Sequence, residues 1–271
     1  MAQDIVFIFH WYLQLFLLGL IFLPTTFLIF RNFKDQGYGF SKITATLFTT
    51  YFVFFLATAK ILPFIKSTII IVLFISILIN LFLIRKVEIA KIIKGNWKLF
   101  IFEELLFIFC FVFWAFIKSY EPSIQTLEKF MDFGFINSTL RSNYLPAQDM
   151  WFAGSSINYY YFGHFIVAFL TKLSEIPSYL TYNLMLITIF SYKITFTFSI
   201  AIKIKKLLGT ILYYQLTTNL PIEKLGKNLE KYPLLSNGRW KRGGSWDARG
   251  GRGGTDGGTN RWTRRRSSHL L

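Results

Sequence analysis

The run Ser67–Ile84, STIIIVLFISILINLFLI, carries no charged residue in 18 positions, and seven of the 18 are isoleucine. β-branched enrichment of this kind reads as strand in a water-soluble chain. Length and setting reverse that reading. As α-helix, 18 residues rise about 27 Å, close to the apolar thickness of a bilayer, about 30 Å. A strand facing lipid would leave its backbone N–H and C=O groups unpaired, whereas a helix satisfies them within itself. The run is therefore read as a membrane-spanning helix, and comparable runs lie on both sides of it.

Upstream, Ile43–Ala59 is a second apolar run, joined to the first by the tight connection Lys60–Lys66 with Pro63. Ile5–Phe30 is a third, uncharged over 26 residues. It is too long for a leader core and has neither a basic n-region nor a small-residue cleavage site, so a retained span is expected. Pro24 is placed to kink its end. His10 and Gln14 sit one turn apart and are read as packed or interfacial polar residues, a partner-helix contact being the alternative. Downstream, Leu99–Ile117 is a further span. Tyr159–Leu173 is a shorter apolar segment, and Tyr179–Ile202 is longer but contains Lys193. Composition agrees: 53% hydrophobic and 20% aromatic residues, 32 of them Phe, exclude a soluble domain built on a buried core. The single cysteine, Cys110, lies within an apolar run, so no disulfide framework is available. The expected architecture is an all-α, polytopic transmembrane bundle of about six membrane segments, multi-pass in the cell membrane.

Charge sets the expected orientation. Arg85–Lys98 carries Arg85, Lys86, Lys91, Lys94 and Lys98 against Glu88 alone, the strongest positive-inside signal in the chain. With that loop in the cytoplasm, the N-terminus and Lys60–Lys66 are exterior and Arg31–Lys42 is interior. Residues 118–158 then form an exterior loop with a net charge of −1, from Lys118, Lys129 and Arg141 against Glu121, Glu128, Asp132 and Asp149. One tension follows. If Tyr159–Leu173 and Tyr179–Ile202 both cross, Lys203, Lys205 and Lys206 emerge outside, against the rule. A re-entrant Tyr159–Leu173 removes the conflict, as does an end of chain that is foreign to its context.

The exterior loop concentrates the chemistry. Leu127, Phe130, Met131, Ile136 and Leu140 recur near helical spacing, which predicts one or two short amphipathic helices at the outer interface. Glu128 and Asp132 are four residues apart and share one helix face, where two close carboxylates can supply a general base or a cation site. Solvated acids beside Lys129 and Arg141 are the plainer alternative. Asp149, Trp151, Gly154, Asn158, Tyr159, Tyr160, Tyr161, Gly163 and His164 then crowd the entry to the next apolar segment. Three adjacent tyrosines point three ways on a helix, so they read as an interfacial aromatic belt or as a wall for a sugar or lipid, with Asn158 and His164 adding hydrogen bonds. Asn137-Ser138-Thr139 matches a short glycosylation sequon. Glu103 and Glu104 sit about one turn inside the Leu99–Ile117 span and are read as partners of Lys94, Lys98 or a lysine of another helix.

Composition divides the chain into residues 1–98 (N-terminal spans and basic loop), 99–208 (membrane region with exterior loop 118–158) and 209–271. The last 36 residues hold nine of the 18 glycines and eight arginines, where the preceding chain uses 18 Lys and three Arg. The preferred reading of 209–271 is an aberrant or disordered tail, with no stable structure expected from Ser236 onward. An inert solvated tail and an RGG-type nucleic-acid arm are the alternatives, the nucleic-acid arm being the least favoured.

The segment EKFMDFGFINSTLRSNYLPAQDMWFAGSSINYYYFGH, residues 128–164, resembles the central motif of the YYY-type bacterial and archaeal membrane proteins. Glu128, Lys129, Met131 and Asp132 match its first part. Pro146, Asp149, Trp151, Ala153, Gly154, Ile157, Asn158, Tyr159, Tyr160, Tyr161, Phe162 and Gly163 match its second. That family is similar to GT-C-type glycosyltransferases, which use polyprenyl-phosphate-linked sugars and carry an acid in the first large exterior loop. The resemblance implies Asp132 as catalytic base with Glu128 second. It implies Arg141 or His164 as the cation facing the departing phosphate, and Trp151 with Tyr159, Tyr160 and Tyr161 as the sugar or lipid surface, with Asp149 and Asn158 as further binding residues. Expected partners are membrane lipid and a polyprenyl-phosphate-linked sugar; no cofactor and no metal is assigned. Members of the family are longer, so a truncated N-terminal part is the expectation, matching as far as Ser191–Leu207. A non-enzymatic transporter or assembly subunit is the alternative function.

Overall fold

The structure, a computed structural model, describes residues 2–218; of the 209–271 tail, residues 219–271 lie outside the described residues. Eight α-helices follow one another: α1 (Ala2–Ile21), α2 (Leu23–Ile29), α3 (Ser41–Thr58), α4 (Lys66–Ile84), α5 (Ile89–Tyr120), α6 (Leu127–Arg141), α7 (Phe162–Ser174) and α8 (Ser178–Thr218). The described chain has helices throughout and no strand, and five candidate spans, carried by α1, α3, α4, α5 and α8, are long and apolar enough to cross a membrane. The chain is an all-α polytopic membrane protein. α5 runs unbroken across the 98/99 division drawn from composition, and α8 continues past residue 209.

Ser67–Ile84 shows how the bundle is patterned. α4 turns Thr68, Val72, Ser76 and Asn80 inward at successive four-residue steps, while Ile70, Ile71, Phe74, Ile75, Leu78 and Ile79 are exposed. The helix is thus more polar on its packed side than on its outer side, the reverse of a soluble helix, because lipid surrounds it. The inward polar residues carry specific bonds. Pro24 starts α2, and the Thr25 backbone N–H and hydroxyl both donate to Asn80 Oδ1, at 3.2 and 2.8 Å. The break between α1 and α2 falls where Pro24 was expected to kink the first span. Replacing Asn80 with leucine leaves the Thr25 N–H without its acceptor. We expect a loss of about 1–3 kcal/mol, read as a lower midpoint in detergent unfolding.

α1 buries Trp11, Leu15 and Leu18, and Trp11 Nε1 donates to Thr188 Oγ1 of α8 at 2.9 Å. Gln14 Nε2 donates to the Leu170 carbonyl of α7 at 3.3 Å, whereas His10 is exposed. α5 and α8 run antiparallel, with Trp114 stacked on Phe190, Phe107 beside Tyr192 and Phe102 beside Phe198. Between the helices lies a buried ionic knot. Lys42 Nζ of α3 meets Glu104 Oε2 of α5 at 2.6 Å, and the hydroxyls of Tyr12 and Tyr38 donate to the same carboxylate at 2.6 and 2.8 Å. Lys42 Nζ also lies 4.8 Å from the Phe107 ring centroid. The partner of Glu104 is thus a lysine of another helix, not Lys94 or Lys98.

The two ends of the bundle sort by charge. Lys203 Nζ donates to the Asn32 carbonyl at 2.5 Å, and Val87, Ile89 and Ile92 pack against Phe27, Tyr38 and Phe100. The Arg31–Lys42 and Arg85–Lys98 segments and the far half of α8 therefore share one end. At the other end the α3–α4 connection meets the long loop, with Phe64 N–H donating to the Asn143 carbonyl at 2.6 Å and Leu145 N–H to the Ala57 carbonyl at 3.3 Å. α7 has 13 residues and rises about 20 Å, too short to cross. It packs inside the end that carries α6, and α8 alone returns to the basic end. Lys203 thus lies at the same end as Arg31–Lys42, the arrangement that a re-entrant Tyr159–Leu173 segment requires. Single cysteines at Lys34 and Lys205, in a Cys110→Ser background, are expected to react with an impermeant maleimide from one face. Cysteines at Gln125 and Ser156 should react only from the other; labelling of Lys205→Cys and Ser156→Cys from the same face would overturn the arrangement.

Candidate functional site

α6 is one helix from Leu127 to Arg141, not interrupted at Gly134. Glycine at this position makes room for Met150. A Cβ at Gly134 would lie 1.7 Å from Met150 Sδ, so the bare backbone lets the loop dock onto the helix. Ser138 Oγ, one turn on, donates to the Gln148 carbonyl and ties the same loop down. Gly134→Val is expected to lift Met150 and the 147–157 loop off α6, at a cost of about 1–3 kcal/mol, and to open that loop to limited proteolysis.

The loop is self-organised. Asp149 Oδ1 accepts the backbone N–H groups of Trp151 and Phe152, at 2.8 and 3.0 Å, and Asp149 N–H donates to the Ser155 carbonyl at 2.8 Å. Gly154 closes the turn at φ +85°, a conformation open to glycine at little cost. Asp149 is therefore a turn-forming residue whose carboxylate is spent on the backbone. Asn137 is likewise committed: its side-chain nitrogen donates to the Phe133 carbonyl and its oxygen accepts from Ser178 Oγ, while Ser138 and Thr139 are buried. The sequon lies within a packed helix, where a glycan has no room.

Asp132 and His164 come together. Asp132 Oδ1 lies 2.9 Å from His164 Nε2, joining α6 to the first turn of α7. Phe135 stands edge-on to the imidazole at 5.4 Å, and His164 Nδ1 is buried without a partner among the described residues. The pair lines a cavity of about 350 Å³ together with Tyr160 and Gly163, Tyr182 of α8, and an apolar wall that includes Ile136, Val167, Met185 and Leu186. The lining combines a carboxylate and an imidazole with apolar side chains, as suits an amphiphilic ligand. A carboxylate so held can accept a proton from a bound hydroxyl while the imidazole fixes its orientation.

The remaining candidates divide. Tyr160 lines the cavity and is 78% exposed; Tyr159 stacks on it at 4.0 Å and donates its hydroxyl to the Tyr160 oxygen at 2.7 Å. That hydrogen bond to Tyr160 is the first cause raising the Tyr159 phenol above its ordinary range, and Asp132 and Glu128 contribute from nearby. Tyr161 turns away and packs against Phe54 of α3, and burial raises its phenol. Trp151 is exposed and leans on Phe135. Glu128 is exposed in the first turn of α6, and Asn158 is exposed in the loop; neither lines the cavity. Arg141 is exposed in the last turn of α6, about 13 Å along the axis from Asp132, and does not line it either. Tyr182 was not singled out from the sequence, where nothing in its local pattern separates it from the other aromatics of its span. Among the described residues no group of three or more His, Cys, Asp or Glu is disposed to hold a metal ion.

No curated protein and no solved structure matches the chain. The model of a family described as uncharacterized membrane protein (DUF2298) matches residues 48–240, from within α3 through α6, α7 and α8. Since that stretch is most of its length, the chain belongs to the DUF2298 family of membrane proteins.

Proposed function

We propose that this protein is a GT-C-like glycosyltransferase, or part of one, acting on lipid-linked sugars at the exterior face of the cell membrane. The observation that carries the reading is the Asp132–His164 pair, 2.9 Å apart, on the wall of a half-apolar cavity at the end of the bundle that carries α6. The match of residues 128–163 to the YYY-type motif supports it, because Asp132 falls at the acid of that pattern. In the proposed reaction Asp132 accepts the proton of an acceptor hydroxyl. The freed oxygen bonds to the anomeric carbon of the sugar, and the bond from that carbon to the polyprenyl phosphate breaks, the phosphate leaving with the electron pair. His164 positions Asp132, the apolar wall takes the start of the prenyl chain, and Tyr159 and Tyr160 offer ring faces to the sugar. Glu128 and Arg141, in the first and last turns of α6, take no part in this step.

The experiment is transfer by the full chain in vesicles from a panel of radiolabelled polyprenyl-phosphate sugars to lipid-soluble and water-soluble acceptors. Label appearing in product, with polyprenyl phosphate released in equal amount, is the expected result; the absence of transfer from every donor would overturn the reading. The buried ionic residues of α3 and α5 favour a second reading, a transporter, since ionisable groups inside a bundle mark ion paths. Uptake of a substrate by vesicles without turnover of any lipid donor would select it.

A further inference from the structure

Opposite the exterior cavity, the α2–α3 loop inserts an acid into the bundle. Asp35 is 1% exposed and Glu103 of α5 is 1% exposed, and both carboxyls close on the Gly39 backbone. Both oxygens of Glu103 and Oδ1 of Asp35 are buried and have no hydrogen-bond donor among the described residues. The surroundings close the pair off. Ser199 Oγ of α8 donates to Asp35 Oδ2 at 2.7 Å, and the Gly39 N–H approaches the same oxygen at 3.5 Å. A Cβ on Gly39 would lie 3.3 Å from Thr195 Cγ2 and 3.6 Å from Glu103 Oε2, so the loop backbone packs directly over the acids.

Charge is out of balance here. The groups around the pair are Tyr38 from the 3-10 turn Tyr38–Phe40, Lys42 from α3, Glu104 beside Glu103 on α5, and Ser199 and Thr195 from α8; Tyr12 of α1 donates to Glu104, and Tyr192 of α8 is buried nearby. Lys42 is the one cation among them, and it is committed to Glu104 at 2.6 Å. Two further buried carboxylates packed around the same glycine repel and lack solvation, and two acceptors cannot bond without a hydrogen between them. A single proton between the two carboxyls removes one of the charges and supplies the missing hydrogen.

We propose that Asp35 and Glu103 form a proton-binding site, one proton being held between the two carboxyls and fastening the α2–α3 loop to α5 and α8. The proton is exchangeable, and loss of it drives the loop away from the helices. This site is separate from the Asp132–His164 cavity and does not depend on the reaction proposed there.

The linkage has a definite sign. A proton bound more tightly in the folded than in the unfolded chain contributes stability that is present at low pH and lost as pH rises through the titration of the pair. Glu103→Gln keeps a donor to Asp35 at every pH. Melting of the full chain in detergent is therefore expected to coincide for wild type and E103Q at acid pH. At alkaline pH E103Q should melt at the higher temperature, and D35N should do likewise. Wild type should also show a carboxylic-acid C=O infrared absorption at neutral pH that E103Q lacks, a readout available even if one variant folds poorly. Parallel melting curves, or no such absorption in wild type, would overturn the proposal. So would stabilisation by Na⁺ or Mg²⁺ at fixed pH that E103Q abolishes, since the pair would then hold a metal ion.

Discussion

Asp132→Asn is expected to lower the turnover number for sugar transfer by about 10²–10⁴-fold, the usual contribution of a positioned general base. Asparagine keeps the shape of the side chain and can still accept a hydrogen bond from His164, which lies 2.9 Å away. It cannot take up a proton. KM should therefore change little, and the loss should appear in kcat. His164→Gln should lower kcat less, because it leaves the base present and removes only the group that orients it. Glu128→Gln, at an exposed position on the first turn of α6, should stay within a few-fold of wild type. Full activity of the Asp132→Asn enzyme in single-turnover assays would remove Asp132 from the chemistry. A larger loss from Glu128→Gln would reassign the base within the same helix face.

The second large effect concerns stability. Lys42→Met is expected to destabilise the bundle by about 3–5 kcal/mol, because it leaves Glu104 buried without its cation beside the further acids Asp35 and Glu103. Tyr12 and Tyr38 would still donate to Glu104, so the loss is not that of every partner. Lys42→Met combined with Glu104→Gln should recover most of the stability, since neither charge then remains to be desolvated. The measurement is the midpoint of denaturant unfolding in mild detergent for the two singles and the double. Additive losses in the double variant would show that the two side chains act independently. Tyr12→Phe and Tyr38→Phe should each cost less, about 1.5–3 kcal/mol, as single hydrogen bonds to a charged group.

The sequence by itself determined the class of the fold and the ends of α3 and α4. Ser67–Ile84 became α4 within a residue, and Ile43–Ala59 became α3 within two, because a bilayer leaves one backbone solution for a long uncharged run. It also determined which acids share a face: Glu128 and Asp132 lie four residues apart on a single helix whatever packs against it. Tertiary structure alone decided what those acids meet. His164 is 32 residues from Asp132, and Tyr182 is 50 residues away on α8; neither periodicity nor motif carries that distance. The same holds at the other end of the bundle, where Lys42 and Glu104 are 62 residues apart and Asp35 reaches Ser199 across 164. Asp149 and Asn137 show the converse: their residue types invite a functional reading, but each is consumed by a turn or a helix contact. Local patterns follow from the solvent around each helix, whereas partners follow from which helices touch, and a charge buried between helices is stable only with the partner that the touching supplies.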